Sequence, residues 1–321
     1  MGNAVSEYHT KELDVHESSD TLESILKGFV DKKAWDKVTQ IFLDNPSISF
    51  TAEKSSQRLP LHLAILNHAP QSLVQALVSS NGLAVNVLDA AGESPVHYAL
   101  TSKASFEIIQ VLTQANHTCM EVCDAQGLLP LHKALEYRSP TPIILHILNT
   151  YPDGAFERTK DGKLALHYAC EHQASLEILQ LLLELNNDAT SEAHNGRLPI
   201  HYCCEHKSPL DIITALHTAN ESCIATKGID GMYPLHVAVK FKSSVAVVEY
   251  LVQTFPDALM HRDRKGLYPI HYALERNAPD MLVKCILTHR PETAALRGKG
   301  SPGNFPLSTA LDKHYSSEIV R

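Results

Sequence analysis

The stretch "LPLHLAILNHAP", residues 59–70, returns along the chain in altered form. "SPVHYALTSKAS" begins at Ser94, "LPLHKALEYRSP" at Leu129, "LALHYACEHQAS" at Leu164, "LPIHYCCEHKSP" at Leu198, "YPLHVAVKFKSS" at Tyr233 and "YPIHYALERNAP" at Tyr268. A histidine stands in the same frame of each: His62, His97, His132, His167, His201, His236 and His271. The intervals are 35, 35, 35, 34, 35 and 35 residues. A fixed period of this size marks a chain of stacked units, and it overrides any domain count taken from the length of 321 residues.

Other columns keep step with the histidine. Gly92, Gly127, Gly162, Gly196, Gly231 and Gly266 lie five residues before it, in turns such as "DAAG", "DAQG", "HNG" and "DRKG" where positive φ is cheapest without a Cβ. Pro60, Pro95, Pro130, Pro199, Pro234 and Pro269 lie two before it, with Ala165 the exception. Proline suits the first turn of a helix, where its missing donor costs nothing. Two residues after it stand Ala64, Ala99, Ala134, Ala169, Cys203, Ala238 and Ala273, small enough for neighbouring helices to approach closely. A second segment has helical apolar spacing, as in Leu176, Ile178, Leu179, Leu181, Leu182 and Leu183 of one repeat or Phe106, Ile108, Ile109, Val111 and Leu112 of another. Each unit is therefore a turn, a short helix and a longer apolar helix, which buries its apolar face only against a neighbour.

The turn glycine, the Pro-Leu-His core and the following alanine resemble the ankyrin repeat. The resemblance covers residues 46–321 and implies an all-α ankyrin-repeat solenoid of stacked helix-turn-helix units, about eight repeats with the last incomplete. The period is about two residues longer than the family's 33. The family's threonine before the proline is replaced by Leu59, Ser94, Leu129, Leu164, Leu198, Tyr233, Tyr268 and Phe305. Losing that N-cap costs about 1 kcal/mol per helix, so an apolar contact is expected to offset it, and a Thr–His hydrogen bond is not expected. Residues 46–311 are read as repeats and residues 21–45 as a helical N-terminal cap without the turn signature. Residues 312–321 are an incomplete last repeat or a tail, and in the eighth unit Ser308 replaces the histidine. Residues 1–20 read as a disordered acidic tail. They open with "MGNAVS", in which Gly2 and Ser6 fit the N-myristoylation pattern.

Composition narrows the function. A formal net charge of −8 offers no basic footprint for nucleic acid. Seven cysteines, an odd set without framework spacing, read as reduced thiols of a cytoplasmic protein, with membrane contact expected only if Gly2 is acylated. Equivalent histidines on helices about 8–10 Å apart cannot share a zinc ion with Zn–N near 2.0–2.1 Å, so they are expected to be structural, partly buried and bonded to backbone within the turn. "CEH" at Cys170–His172 and Cys204–His206, and "CMEVC" with Cys119 and Cys123, are no better placed for metal or hydrolysis. "GKGSPG" at residues 298–303 matches GxGxxG, but no strand precedes it and Gly303 falls at a turn position. No enzyme and no cofactor are expected.

What remains is a surface. In the family that the repeats resemble, partners touch the turn tips and the exposed side of the first helix. Four residues after the histidine stand Leu66, Thr101, Glu136, Glu171, Glu205, Lys240 and Glu275. The next column holds Asn67, Ser102, Tyr137, His172, His206, Phe241 and Arg276. The turn tips add Lys160, Asp161, His194, Asn195, Arg197, Asp263, Arg264 and Lys265. The expected function is a monomeric, non-enzymatic scaffold or adaptor whose partner-binding residues are Glu136, Tyr137, Glu171, His172, Glu205, His206, Lys240, Phe241, Glu275 and Arg276. Four glutamates in one column suggest a basic or amphipathic peptide as partner. The alternative is the recruitment segment of a larger effector (a ubiquitin-ligase adaptor, kinase or channel) whose active domain lies outside this chain.

Overall fold

The computed structural model describes residues 35–53, 55–298, 305–313 and 315–316. The readings of Gly2, of residues 1–20, of the first part of the cap, of Gly303 and of the chain beyond residue 316 lie outside these. The chain divides into two compact units, residues 1–130 and 131–321. Seven-residue and ten-residue helices alternate in both, and among the described residues the only extended pairing is one isolated bridge.

In the unit of residues 1–130, Pro60–Leu66 packs beside Pro95–Thr101, and Gln71–Ser80 beside Phe106–Ala115. The Trp35–Asp44 helix lies against Gln71–Ser80 and leads into a 3₁₀ turn at Pro46–Phe50, as the ten-residue helices of the repeats do. It therefore occupies the place of a repeat's second helix. In the unit of residues 131–321, the helices Ala165–Glu171, Pro199–Glu205, Pro234–Lys240, Pro269–Glu275 and Pro306–Asp312 pack in series. The second helices Leu176–Leu185, Leu210–Ala219, Val245–Thr254 and Asp280–His289 form a parallel row. Pro130–Glu136 and Thr141–Thr150 complete the set.

The short helices stop for a definite reason. Six residues after each histidine the backbone turns left-handed, at His68, Lys103, Arg138, Gln173, Lys207, Lys242 and Asn277, with φ between 51° and 60°. None of these is glycine, at a cost of about 1 kcal/mol each. The turn is closed by the amide of the next residue donating back to the carbonyl of the small-residue column, as Ala69 to Ala64 at 2.9 Å and Ser243 to Ala238 at 2.8 Å. Lys103, Arg138, Lys207 and Lys242 place a cation at the negative end of a helix, which returns about 0.3–1 kcal/mol.

The single interval of 34 also has a local cause. At the other turns of the glycine column the loop has three residues and ends in glycine, as where Asp89 N donates to Glu93 O, and Gly92 N to Asp89 O. At residues 194–197 the loop is the pair Asn195–Gly196, both at positive φ (50° and 68°), and His194 and Arg197 exchange both backbone bonds at 3.0 Å. That is a two-residue mirror-image turn of the kind Asn-Gly favours, one residue shorter.

The framed histidines are buried completely, between 0% and 3% exposed, not partly as the sequence suggests. Their bonds also correct the expectation of a contact confined to the turn. Nδ1 accepts from the backbone amide at the helix start, as from Leu59 at 3.0 Å, Leu198 at 3.2 Å and Tyr233 at 3.3 Å. Nε2 reaches a carbonyl beyond the second helix, ahead of the next repeat's turn for His62, His167 and His236 and just past that turn's glycine for His97 and His201. His62 bonds Val87, His97 bonds Leu128, His167 bonds Glu192, His201 bonds Met232 and His236 bonds His261, at 3.0–3.2 Å. An amide only donates and a carbonyl only accepts, so each of these rings is neutral and carries its proton on Nε2. Only Ser94 adds a hydroxyl, 2.7 Å from His97 Nδ1. At Leu59, Leu164, Leu198, Tyr233 and Tyr268 the histidine caps the amide, and the side chains of these five residues and of Leu129 are buried. Burying a leucine is worth about 1.5–3 kcal/mol, more than the lost cap. The apolar contact therefore wins.

Burial lowers the pKa of His62, His167, His201 and His236 to about 4, against an ordinary 6.5. Above pH 6.5 neither the folded nor the unfolded chain protonates them, and their full contribution is present. Between pH 6.5 and 4 the unfolded chain takes up protons that the folded chain refuses, so stability falls as pH falls, by about 1.4 kcal/mol per pH unit per histidine. Urea unfolding from pH 7.5 down to 4.5 should show a level midpoint above pH 6.5 and a steep decline below it. A midpoint that stays level down to pH 4.5 would contradict this.

Candidate partner-binding surface

All ten residues singled out as partner-binding lie in the unit of residues 131–321. Glu136, Glu171, Glu205, Lys240 and Glu275 are the last residues of their seven-residue helices, and the second column follows immediately. Glu136, Glu171, His172, Glu205, His206, Lys240 and Phe241 are half-buried, whereas Tyr137, Glu275 and Arg276 are exposed.

The structure gives the glutamates unequal company. Lys163 of the turn pairs with Glu171 of the helix that follows it. Burial alone would raise that carboxyl, but the adjacent ammonium outweighs it and holds the group below its ordinary value. Arg197 Nη1 lies 2.5 Å from Glu205, while Nη2 reaches Asp230 on the next turn at 3.0 Å. Burial works against the guanidinium's charge, and the two carboxylates restore it. The column is therefore a ladder of internal ion pairs in its middle, not a uniform acidic stripe. The sequence carried this signal as a cation four residues before the histidine and a glutamate four after, Lys163–Glu171 and Arg197–Glu205.

A tyrosine column also went unread. Tyr98, Tyr168, Tyr202 and Tyr272 each follow a framed histidine and are 4–9% exposed. The Lys163 ammonium lies 4.7 Å from the Tyr168 ring centre and 5.8 Å from that of Tyr202. Tyr272 donates to Asp263 at 2.5 Å, and the Tyr202 hydroxyl lies 2.7 Å from His194 Nδ1. In the unit of residues 1–130 the same position builds a closed triangle. Arg58 Nε bonds Asp89 at 3.0 Å, Arg58 Nη2 bonds Tyr98 Oη at 2.9 Å, and Tyr98 donates to Asp89 at 2.6 Å. Adjacent turns are further tied by backbone bonds, Ala90 to Ser56 at 2.8 Å, Ile229 to Gly196 at 2.7 Å and Arg264 to Asp230 at 2.9 Å. Within each unit these bonds pre-organise neighbouring tips.

No group of three or more His, Cys, Asp or Glu among the described residues could hold a metal ion. No described helix is long and apolar enough to cross a membrane. The thiols of "CEH" offer no nucleophile, because Cys170 and Cys204 are fully buried and burial pushes both well above the ordinary thiol range. Cys119 and Cys223 are pushed up to about 12 by the same cause. A disulfide-exchange reagent at pH 8 should label exposed Cys123 first and half-buried Cys285 more slowly. Cys119, Cys170, Cys203, Cys204 and Cys223 should stay protected until urea unfolds the chain. Rapid labelling of Cys170 or Cys204 in the native protein would contradict this assignment.

The repeated turn, short helix and long helix, joined by buried imidazoles, define a repeat protein whose accessible chemistry is that of a binding surface. The family profile described as "Ankyrin repeats (3 copies)" matches residues 61–154, 139–227, 166–260 and 200–294, and the chain belongs to the ankyrin repeat family. Among solved structures, 356 chains are similar to it. One is the ankyrin repeat domain of Bcl-3, described as a unique member of the IkappaB protein family. It aligns with a TM-score of 0.54 and 23% identity over 71% of this chain and 98% of that one, which establishes likeness of fold. No curated protein sequence matches the chain.

Proposed function

We propose that the protein is a non-enzymatic scaffold or adaptor that binds one partner protein through the ends of the short helices and the turn tips of residues 131–321. Ankyrin repeats mediate protein–protein interaction, and this chain is built as that fold requires. The supporting observation is the glutamate column beside pre-organised turn tips, with Tyr137, His172, His206, Phe241 and Arg276 next to it. The partner segment is basic or amphipathic. Its cations compete with Lys163 at Glu171 and with Arg197 at Glu205, so Glu136 and Glu275 contribute most to attraction. The scaffold acts as a cytoplasmic monomer, and acylation of Gly2 adds reversible membrane contact, since a single acyl chain anchors only marginally.

Fluorescence anisotropy with a labelled Lys-rich amphipathic peptide tests the reading. Glu136→Lys together with Glu275→Lys should weaken binding about tenfold, equivalent to about 1.4 kcal/mol, with the unfolding midpoint unchanged. Equal affinity after Glu136, Glu171 and Glu205 all become lysine would overturn it.

A further inference from the structure

The end of the Pro234–Lys240 helix breaks the charge pattern of its neighbours. Lys240 stands where Glu171 and Glu205 stand in the two preceding units. In those units the turn supplies Lys163 or Arg197 as counterion, whereas here the same turn position is Met232, which is buried. The cation has moved to the helix, and the one carboxylate on that turn, Asp230, is held by Arg197 of the preceding turn. The carboxylates nearby are already engaged: Arg197 holds both Glu205 and Asp230, and Asp263 accepts from Tyr272 Oη and from the Leu267 amide at 2.9 Å. None of the ion pairs among the described residues includes Lys240 or Lys265.

What surrounds Lys240 holds its charge without neutralising it. The ammonium lies 5.6 Å from the Tyr272 ring centre and 5.3 Å from that of Phe241. Burial disfavours the charged form, and Lys265 on the neighbouring turn disfavours it further, so that its pKa is lowered despite Asp230 and Glu205. Arg264 and Lys265 are exposed at the tip of that turn. On a chain of net charge −8, this corner sets Lys240, Arg264 and Lys265 beside the already engaged carboxylates of Glu205, Asp230 and Asp263.

We propose that this corner is a docking surface for an acidic protein segment, whose Asp or Glu carboxylates pair with Lys240 and Lys265 while Arg264 flanks them. An incoming carboxylate relieves the repulsion between the two ammonium groups and forms charge-assisted hydrogen bonds on a partly desolvated, aromatic-backed site. It also interrupts the glutamate column with a cation at Lys240, between Glu205 and Glu275, so that register on the face is set by charge. The inference concerns the same face as the proposed function but rests on Lys240 and Lys265 where that reading rests on the glutamates, and the two fail separately.

The test is anisotropy with a labelled peptide of alternating Glu and Ser, compared with the Lys-rich peptide above. The acidic peptide is expected to bind the intact chain, more weakly as salt rises. Lys240→Glu with Lys265→Glu should lower its affinity at least tenfold and leave the Lys-rich peptide bound as tightly or more tightly. The milder pair Lys240→Gln with Lys265→Gln, checked by its unfolding midpoint, should show the same order of effect without charge reversal. Absence of acidic-peptide binding, binding indifferent to both pairs, or preferential binding of a peptide bearing phosphoserine in place of Glu would each overturn the proposal.

Discussion

One neutral imidazole per repeat, buried to the exclusion of water, holds this architecture together. A repeat of this kind has too little apolar surface to fold alone, so stability resides in what joins one unit to the next. The histidine makes the join polar and directional. At His62, His97, His167, His201 and His236 it accepts from the amide that opens its own helix and donates to a carbonyl of the following unit, 25 or 31 residues on in sequence. Five such bridges satisfy groups that burial would otherwise leave costly. Around them the chain is free to vary, since leucine, serine or tyrosine at the helix start all serve.

Much of the fold was legible because its determinants are local and repeated. Proline at the helix start, glycine at the turn and alanine two residues past the histidine fix backbone geometry that hardly depends on what lies across the interface. The two-residue Asn195–Gly196 turn could equally have been read from its dipeptide and the interval of 34. The far ends of the histidine bridges were not legible, because a carbonyl acceptor carries no side-chain signature. The left-handed helix ends were hidden for the opposite reason: Lys, Arg, Gln, His and Asn occupy positions where glycine would have announced the turn.

The surface was half legible. Placing the columns needed only the period, and the structure keeps them together at the helix ends. Their electrostatics needed the third dimension, because Lys163 and Arg197 reach forward from the turns to spend two of the glutamates. The aromatic floor of Tyr168, Tyr202 and Tyr272 was missed although its spacing is regular, since a tyrosine beside a buried histidine reads as core until its hydroxyl partners are known. Under the proposed function, the charges that matter are those the ion-pair ladder leaves over, at Glu136, Glu275 and the Lys240 corner.

The bridging imidazole can be observed directly. Long-range ¹H–¹⁵N correlation of the histidine side chains, followed from pH 7.5 to pH 4.5, reports the tautomer and the titration of each ring. The account predicts that His62, His167, His201 and His236 carry the proton on Nε2 and keep that state through pH 6.5, changing only as pH nears 4. Rings protonated on Nδ1, or titrating with midpoints at the ordinary value of 6.5 while the chain stays folded, would contradict it.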